Sequence, residues 1–311
     1  MSFLNFLPGA VATGVIWGIM AIGLYITYRV LDVADLTVDG SFGTGGAVLA
    51  LCLTSGLNVW LAMLLAFIAG CLCGAITGIL HTRFGIPAIL AGILTQLALY
   101  SINLRLLKDS SNMAIPVDKY HLILSLRNNW KAILVSVAFA AVIIALLYWF
   151  FGTELGHSLR ATGCSPHMAR ANGINTNSTI IAGIVLSNGI VALSGALLSQ
   201  YNGFADVNMG RGAIVIGLAA IIIGKVIFGK IFSNFALKLL ASVFGGIIYY
   251  VVINLIMKFS FFKANDLKLF SAAVVAVFLG VPYWKKQLAS HPHAPKDTSK
   301  AETSRAKKEG K

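Results

Sequence analysis

The chain has 311 residues, 58% of them hydrophobic and 11% charged, with a mean hydropathy of +0.83. Soluble domains carry roughly a quarter charged residues, so this composition excludes that class and defines an integral membrane protein. The formal charge of +13 would suggest nucleic acid as a partner in a soluble protein. Here +5 of it falls between Lys285 and Lys311, eight Lys/Arg against three Asp/Glu, in a stretch read as a disordered basic cytoplasmic tail behind a membrane domain over 1–284.

Apolar runs of about 20 residues, separated by Gly, Pro and polar breaks, predict helices rather than the short alternating strands of a barrel. The first span is expected over Pro8–Tyr28 and offers a Gly14-x-x-x-Gly18 face. No basic residue precedes Arg29, so this run lacks the positive start of a secretory signal and is expected to be retained. A polar segment with Asp32, Asp35 and Asp39 follows, then a Gly-rich apolar run from Ser41 that predicts a broken or re-entrant helix. Span three, Asn58–Leu80, carries Gly70, Gly74 and Gly78 at four-residue spacing, a smooth stripe for another helix. Pro87 opens span four, which runs to Leu104 with Thr95, Gln96 and Asn103 at depth. A loop over Asn112–Asn129 leads to span five, Lys131–Phe151.

Beyond the long polar interruption Gly152–Ser178, span six covers Thr179–Gln200, with Ser187, Asn188 and Ser194 inside it. A polar segment with Asp206, Asn208 and Arg211 opens a short apolar run to Phe228, and spans Phe235–Met257 and Leu267–Tyr283 complete about nine transmembrane helices. Ala34-Asp35-Leu36-Thr37-Val38-Asp39-Gly40 is echoed by Ala205-Asp206-Val207-Asn208-Met209-Gly210, each after a long span and before a short Gly-rich one. With an odd number of spans between the halves, that echo predicts an inverted repeat.

Sites of chemistry are sparse. The six histidines are scattered, and Cys71-x-Cys73 lacks redox or zinc spacing, so no metal site is expected. Gly224-Lys225-Val226 lacks both the upstream glycine and the hydroxyl of a phosphate loop, so ATP is not expected to bind this chain. The polar groups beside the Gly-rich breaks are candidates for a translocation pathway: Asp39, Ser41, Thr44, Gln96, Asn188, Asp206, Asn208 and Arg211, with Asp35 beside them. They are read either as contacts for a polar solute or as surface-loop and interhelical groups.

The interruption Gly152–Ser178 predicts two short helices. Thr153 caps the first, stopped by Gly163; Ser165-Pro166 opens the second, stopped by Gly173. As composition alone, it is either a solvated elbow or a dock for a soluble partner.

Leu159-Arg160-Ala161-x-Gly163, Ala169-Arg170 and Gly173-Ile174-Asn175 resemble the cytoplasmic signature of permease subunits in the branched-chain amino acid and ribose class of ABC importers. The runs Ala192–Tyr201 and Asn208–Gly224 are similar to the segments that follow that signature, whereas Asp39-Gly40-Ser41 departs from the family form. Within the class, the chain looks most similar to the tryptophan- and tyrosine-type branch of Gram-positive bacteria.

The resemblance implies an all-α, type II importer permease in the bacterial plasma membrane. It implies a second permease copy, two cytoplasmic ATPase subunits that bind ATP and magnesium, and an external solute-binding lipoprotein or periplasmic protein. Leu159, Arg160, Ala161, Gly163, Pro166, Ala169, Arg170, Gly173, Ile174 and Asn175 would then form the coupling contact with the ATPase. It places the Gly152–Ser178 loop in the cytoplasm, on the side to which the basic tail also points; the remaining Lys and Arg lean the other way. An ion-driven secondary transporter is the alternative, although Asp39 and Asp206 lie near span ends instead of forming an intramembrane relay. A membrane-embedded enzyme would need a convergent nucleophile, base or metal set that the chain does not show.

Overall fold

The computed structural model describes residues 7–116, 120, 122–229, 231–232, 234–257, 269, 272–278 and 280. Of the expected ninth span, Leu267–Tyr283, residues 269, 272–278 and 280 are described and all are helical; the basic tail lies outside the described residues. Ten α-helices follow in order: α1 Leu7–Tyr25, α2 Thr37–Thr54, α3 Val59–Thr82, α4 Ala88–Leu106, α5 Asn129–Phe150, α6 Glu154–Cys164, α7 Pro166–Ala171, α8 Thr176–Asn202, α9 Ala213–Phe228 and α10 Phe235–Met257. Among the described residues, six helices are long and apolar enough to cross a membrane: α1 with its extension to Leu31, α3, α4, α5, α8 and α10. The six long helices and the shorter α2 and α9 fall on eight of the expected spans, and residues 272–278 are helical within the ninth.

The central helices are α1 and α8. Within their most apolar windows 78% and 67% of residues are buried, against 22% in α5, whose Leu134, Val142 and Trp149 stand exposed as lipid-facing residues do. Lipid is as apolar as leucine, so helices gain little by hiding apolar faces from it and pack instead through close approach and internal hydrogen bonds. Both devices act here. Ser187 and Ser194 of α8 donate their hydroxyls to the carbonyls of Gly23 and Ile16 in α1, each at 2.7 Å. The stripe Gly70, Gly74, Gly78 of α3 lies on the α8 backbone at Asn188, Ile184 and Ile181, as its spacing predicts. Gly14 and Gly18 of α1 meet the α10 backbone at Ile247 and Val243 in the same manner.

The expectation of a broken helix after Asp39 is corrected. α2 is continuous from Thr37 to Thr54, with Asp39, Gly40 and Ser41 inside its first turns. Its glycines read as breaks in isolation, but they are clearances. A Cβ on Gly45 would collide with the carbonyl of Ala192, and one on Gly46 with Ser199 and Met209. The irregularity lies one step earlier, where α1 continues as a π-helical turn over Ile26–Leu31 and ends at Asp32 with φ +55°.

A small feature was invisible in sequence. Strands β1 (Asn112–Ala114) and β2 (Phe204–Asp206) pair antiparallel, with Asn112 opposite Asp206 and Ala114 opposite Phe204. Three-residue strands carry too little alternation to be read. The ribbon ties the loop after α4 to the end of α8, at the end of the bundle away from α6 and α7.

Gly195 of α8 tests the packing most directly, because its Cβ would fall on the Phe42 carbonyl of α2. Gly195→Val is expected to lower stability by about 3 kcal/mol or to block accumulation of folded protein, while Leu72→Val on the exposed face of α3 is near neutral. Thermal unfolding of both variants in detergent measures the difference.

Candidate functional site

The polar residues of the two echoed segments fall into three groups. The first is a buried seam between α2 and α8. Asn188, fully buried, donates through Nδ2 to the Asp35 carboxylate at 2.6 Å and accepts from the Ser41 hydroxyl through Oδ1 at 2.7 Å. Asp35, only 2% exposed, also accepts from the Thr37 amide at 2.9 Å and so shapes the entry to α2. A hydroxyl chain continues across α3 to α4, with Thr37 to Thr77 at 2.7 Å and Thr77 to Thr95 at 2.8 Å. Asp35 is therefore no surface-loop carboxylate. It is held by an amide and a backbone N–H, the condition under which a carboxylate can be kept inside.

The second group centres on Asp39, in the first turn of α2. Its two carboxylate oxygens accept from the amides of Gly212 and Ile214 at 2.9 Å each, across more than 170 positions of sequence. The N-terminus of α9 has no cap from its own flank, since Gly212 has φ +83° and no side chain. Asp39 supplies the missing acceptors and its negative charge meets the positive end of that helix dipole. Gly210 makes the meeting possible, because a Cβ there would strike the Asp39 carbonyl. The N-termini of α2 and α9 thereby converge on one carboxylate.

The third group is peripheral. Asp206 accepts from the Asn208 amide at 2.6 Å, the same Asx geometry that Asp35 makes with Thr37. Asn208 and Arg211 are exposed, and the Arg211 guanidinium lies 5.6 Å from the Tyr100 ring centre. Thr44 turns back to the Gly40 carbonyl at 2.9 Å. Gln96 is half-buried, with its backbone packed on Gly40. The structure thus joins Ser41 and Asn188 with Asp35, gives Asp39 to α9, and leaves Gln96, Asp206, Asn208 and Arg211 outside both clusters.

The interruption between α5 and α8 folds as read. Thr153 accepts from the Gly156 amide to start α6, which runs one residue past Gly163 to Cys164. Ser165 accepts from Met168 to start α7 behind Pro166, and Gly173 ends it with φ +81°. The signature residues hold this elbow together and onto the bundle. Leu159 and Ala169 are each 1% exposed. Gly163 lies against the Val30 carbonyl of the π-helical turn. The Arg160 guanidinium sits 4.5 Å from the Phe235 ring centre and 5.2 Å from that of Phe151, joining α6 to α5 and α10. Arg170 donates through Nε to Thr176 at 2.6 Å, Ile174 donates its amide to Ala169, and Asn175 caps α8. Ala161 accepts from the Ser165 amide at the turn between the two helices.

What the elbow leaves outward is a different set. Leu155 is 62% and Met168 55% exposed, beside exposed Pro166 and His167. The signature alone does not point to Leu155 or Met168. Their signal was subtler, apolar residues in short polar helices.

A bundle of apolar helices around two polar seams, with an amphipathic elbow resting on one end, is the fold of a membrane permease. Residues 7–282 match the family described as branched-chain amino acid transport system / permease component, and the chain belongs to that family. It is 41% identical over 265 residues, 85% of this chain and 87% of the relative, to the tyrosine transport system permease protein of Clostridioides difficile. It is 27% identical over 236 residues, 73% of this chain and 68% of the relative, to the inner membrane ABC transporter permease protein YjfF of Escherichia coli. PsaBC from Streptococcus pneumoniae, solved in complex with Fab, shares the fold with a TM-score of 0.51 and 17% identity over 89% of this chain and 91% of that one. The protein is the permease component of an ABC transport system, multi-pass in the bacterial plasma membrane.

Asn188→Leu removes the amide from a buried carboxylate and a buried hydroxyl. It is expected to cost about 2–3 kcal/mol, read as a lowered unfolding midpoint in detergent. Asp39→Ala removes the remote cap, at about 1–2 kcal/mol. Hydrogen exchange should then quicken at the amides of Gly212 and Ile214 and stay unchanged across α3.

Proposed function

We propose that the chain forms the translocation pathway of an ATP-driven importer for a small amino acid-like solute, with tyrosine the first to test. The observation that carries this reading is the 41% identity to a tyrosine transport permease over most of both chains. Its translocation residues are Asp39, Ser41, Thr44, Gln96, Asn188, Asp206, Asn208 and Arg211. The meeting of the α2 and α9 N-termini at Asp39 supports this choice, because an acidic group held where two helix ends converge within a membrane protein marks a solute pathway.

The α6–α7 elbow is the coupling element on the cytoplasmic side. In this reading it divides its labour. Leu159, Arg160, Ala161, Gly163, Ala169, Arg170, Gly173, Ile174 and Asn175 keep the elbow rigid and seated on α1, α5, α8 and α10. Pro166, with Leu155 and Met168, presents the face that enters the ATPase. A rigid lever of this kind passes motion of the partner to the helices beneath it, and ATP and magnesium are bound by that partner. The assembly pairs two permease copies with two ATPases and an external solute-binding protein.

An inverted repeat relates the halves of the membrane domain. It is supported by exchanged packing: α1 lies on α10 and α3 on α8, each through glycines four residues apart. The matched turns at Asp35 and Asp206 point the same way.

Leu155→Asp with Met168→Asp is expected to leave the unfolding midpoint within about 0.5 kcal/mol of wild type, since both side chains are exposed. Co-purification of the ATPase and tyrosine uptake in cells should both be lost. Arg160→Glu should instead lower stability, because it replaces a cation over two aromatic faces. Retained co-purification in the double variant, or uptake that persists without the ATPase and collapses with an uncoupler, defeats the proposal.

A further inference from the structure

The end of the bundle that carries the elbow also holds a cleft of about 540 Å³ between α1, α9 and α10. Three cations line it, each from a different helix or helix extension: Arg29 from the π-helical turn after α1, Lys225 from the last turn of α9 and Lys238 from the first turn of α10. Among the described residues, none of the three is paired with a carboxylate. Tyr25 and Ser242 add hydroxyls, and Ile221, Val226 and Phe232 give the wall an apolar surface.

Bringing three like charges to one opening is unfavourable unless an anion joins them. The segment from Lys285 to Lys311 carries the same net sign as the cleft. The two surfaces of the cleft, cationic and apolar, match a ligand with an anionic head and an apolar body. A soluble anion would use only the first.

We propose that this cleft binds an anionic phospholipid of the leaflet on the elbow side, its phosphate held by Arg29, Lys225 and Lys238 and its acyl chain laid along Ile221 and Phe232. Basic clefts between membrane helices recognise phosphate headgroups in this way, through charge attraction where the membrane surface is itself negative. The cleft adjoins the elbow, for Tyr25 contacts Phe235, the ring that Arg160 covers. A bound lipid there would brace α10 where the elbow rests on it. The inference depends on the membrane location of the chain and not on the solute or on coupling.

The test uses the full chain in neutral detergent, titrated separately with short-chain phosphatidylglycerol, short-chain phosphatidylcholine and inorganic phosphate, with thermal protection as the readout. Phosphatidylglycerol is expected to protect and the other two to do little. Lys225→Gln and Lys238→Gln should each weaken the phosphatidylglycerol response about fivefold, and Lys238→Arg should retain it. Equal protection by phosphatidylcholine overturns the proposal, as does equal protection by inorganic phosphate, which would make the cleft a site for soluble anions. Unchanged phosphatidylglycerol binding in both neutralised variants places the lipid elsewhere and overturns it too. If one of these variants does not fold, Lys238→Glu reads the same contact: at least a fivefold loss supports the site, and no loss rejects it.

Discussion

The structure depends on how closely other backbones can approach α8. Within a membrane, association of helices draws little from hiding apolar surface, and what remains is dispersion at short range and hydrogen bonds that cannot be made to water. α8 satisfies both on three sides. Gly70 and Gly74 of α3 and Gly45 of α2 lie on its backbone, its own Gly195 lies on the carbonyl of Phe42, and its serines bond to carbonyls of α1. Substituted at these positions, a methyl group would overlap main-chain atoms that have nowhere to move. The tolerance for change is therefore least where the chain looks chemically plainest.

On that scaffold the polar residues serve two ends. The Asp35–Asn188–Ser41 seam is closed upon itself, each acceptor given a donor, and it locks the start of α2 to the middle of α8. Asp39 does something less local. It makes the first turn of α2 the cap of α9, so that two short helices from opposite halves of the chain share one carboxylate. A displacement of either helix must break two charge-assisted hydrogen bonds or carry the other helix with it. That coupling is mechanical and requires no relay of protons.

At the bundle end, the elbow adds a second rigid joint. Arg160 fastens α6 to the rings of Phe151 and Phe235, while Gly163 fits it against the π-helical turn that ends α1. The central helix α1 thus touches the elbow at one end and is pinned to α8 and α10 along its length. An outside force on the elbow has a short path into the core through these contacts.

Composition and periodicity determined the membrane class, the limits of the long helices to within a few residues, and the two short helices of the elbow, because lipid leaves few alternatives for a long apolar run and capping residues act locally. The signature Leu159–Asn175 pointed to the elbow and to its family. Tertiary structure decided the meaning of the glycines and of the buried acids. Gly40 to Gly46 read as a break but are clearances within a continuous helix, since a missing side chain does not declare whether it serves flexibility or contact. Asp39 read either as a pathway group or as a surface-loop or interhelical one; in the fold it caps a helix more than 170 positions away, a partnership that local sequence cannot encode. Likewise, Leu155 and Leu159 stand one turn apart on the same side of α6, yet Leu155 is exposed and Leu159 is buried, because the packed bundle, at Gly183 of α8, reaches that side only at Leu159.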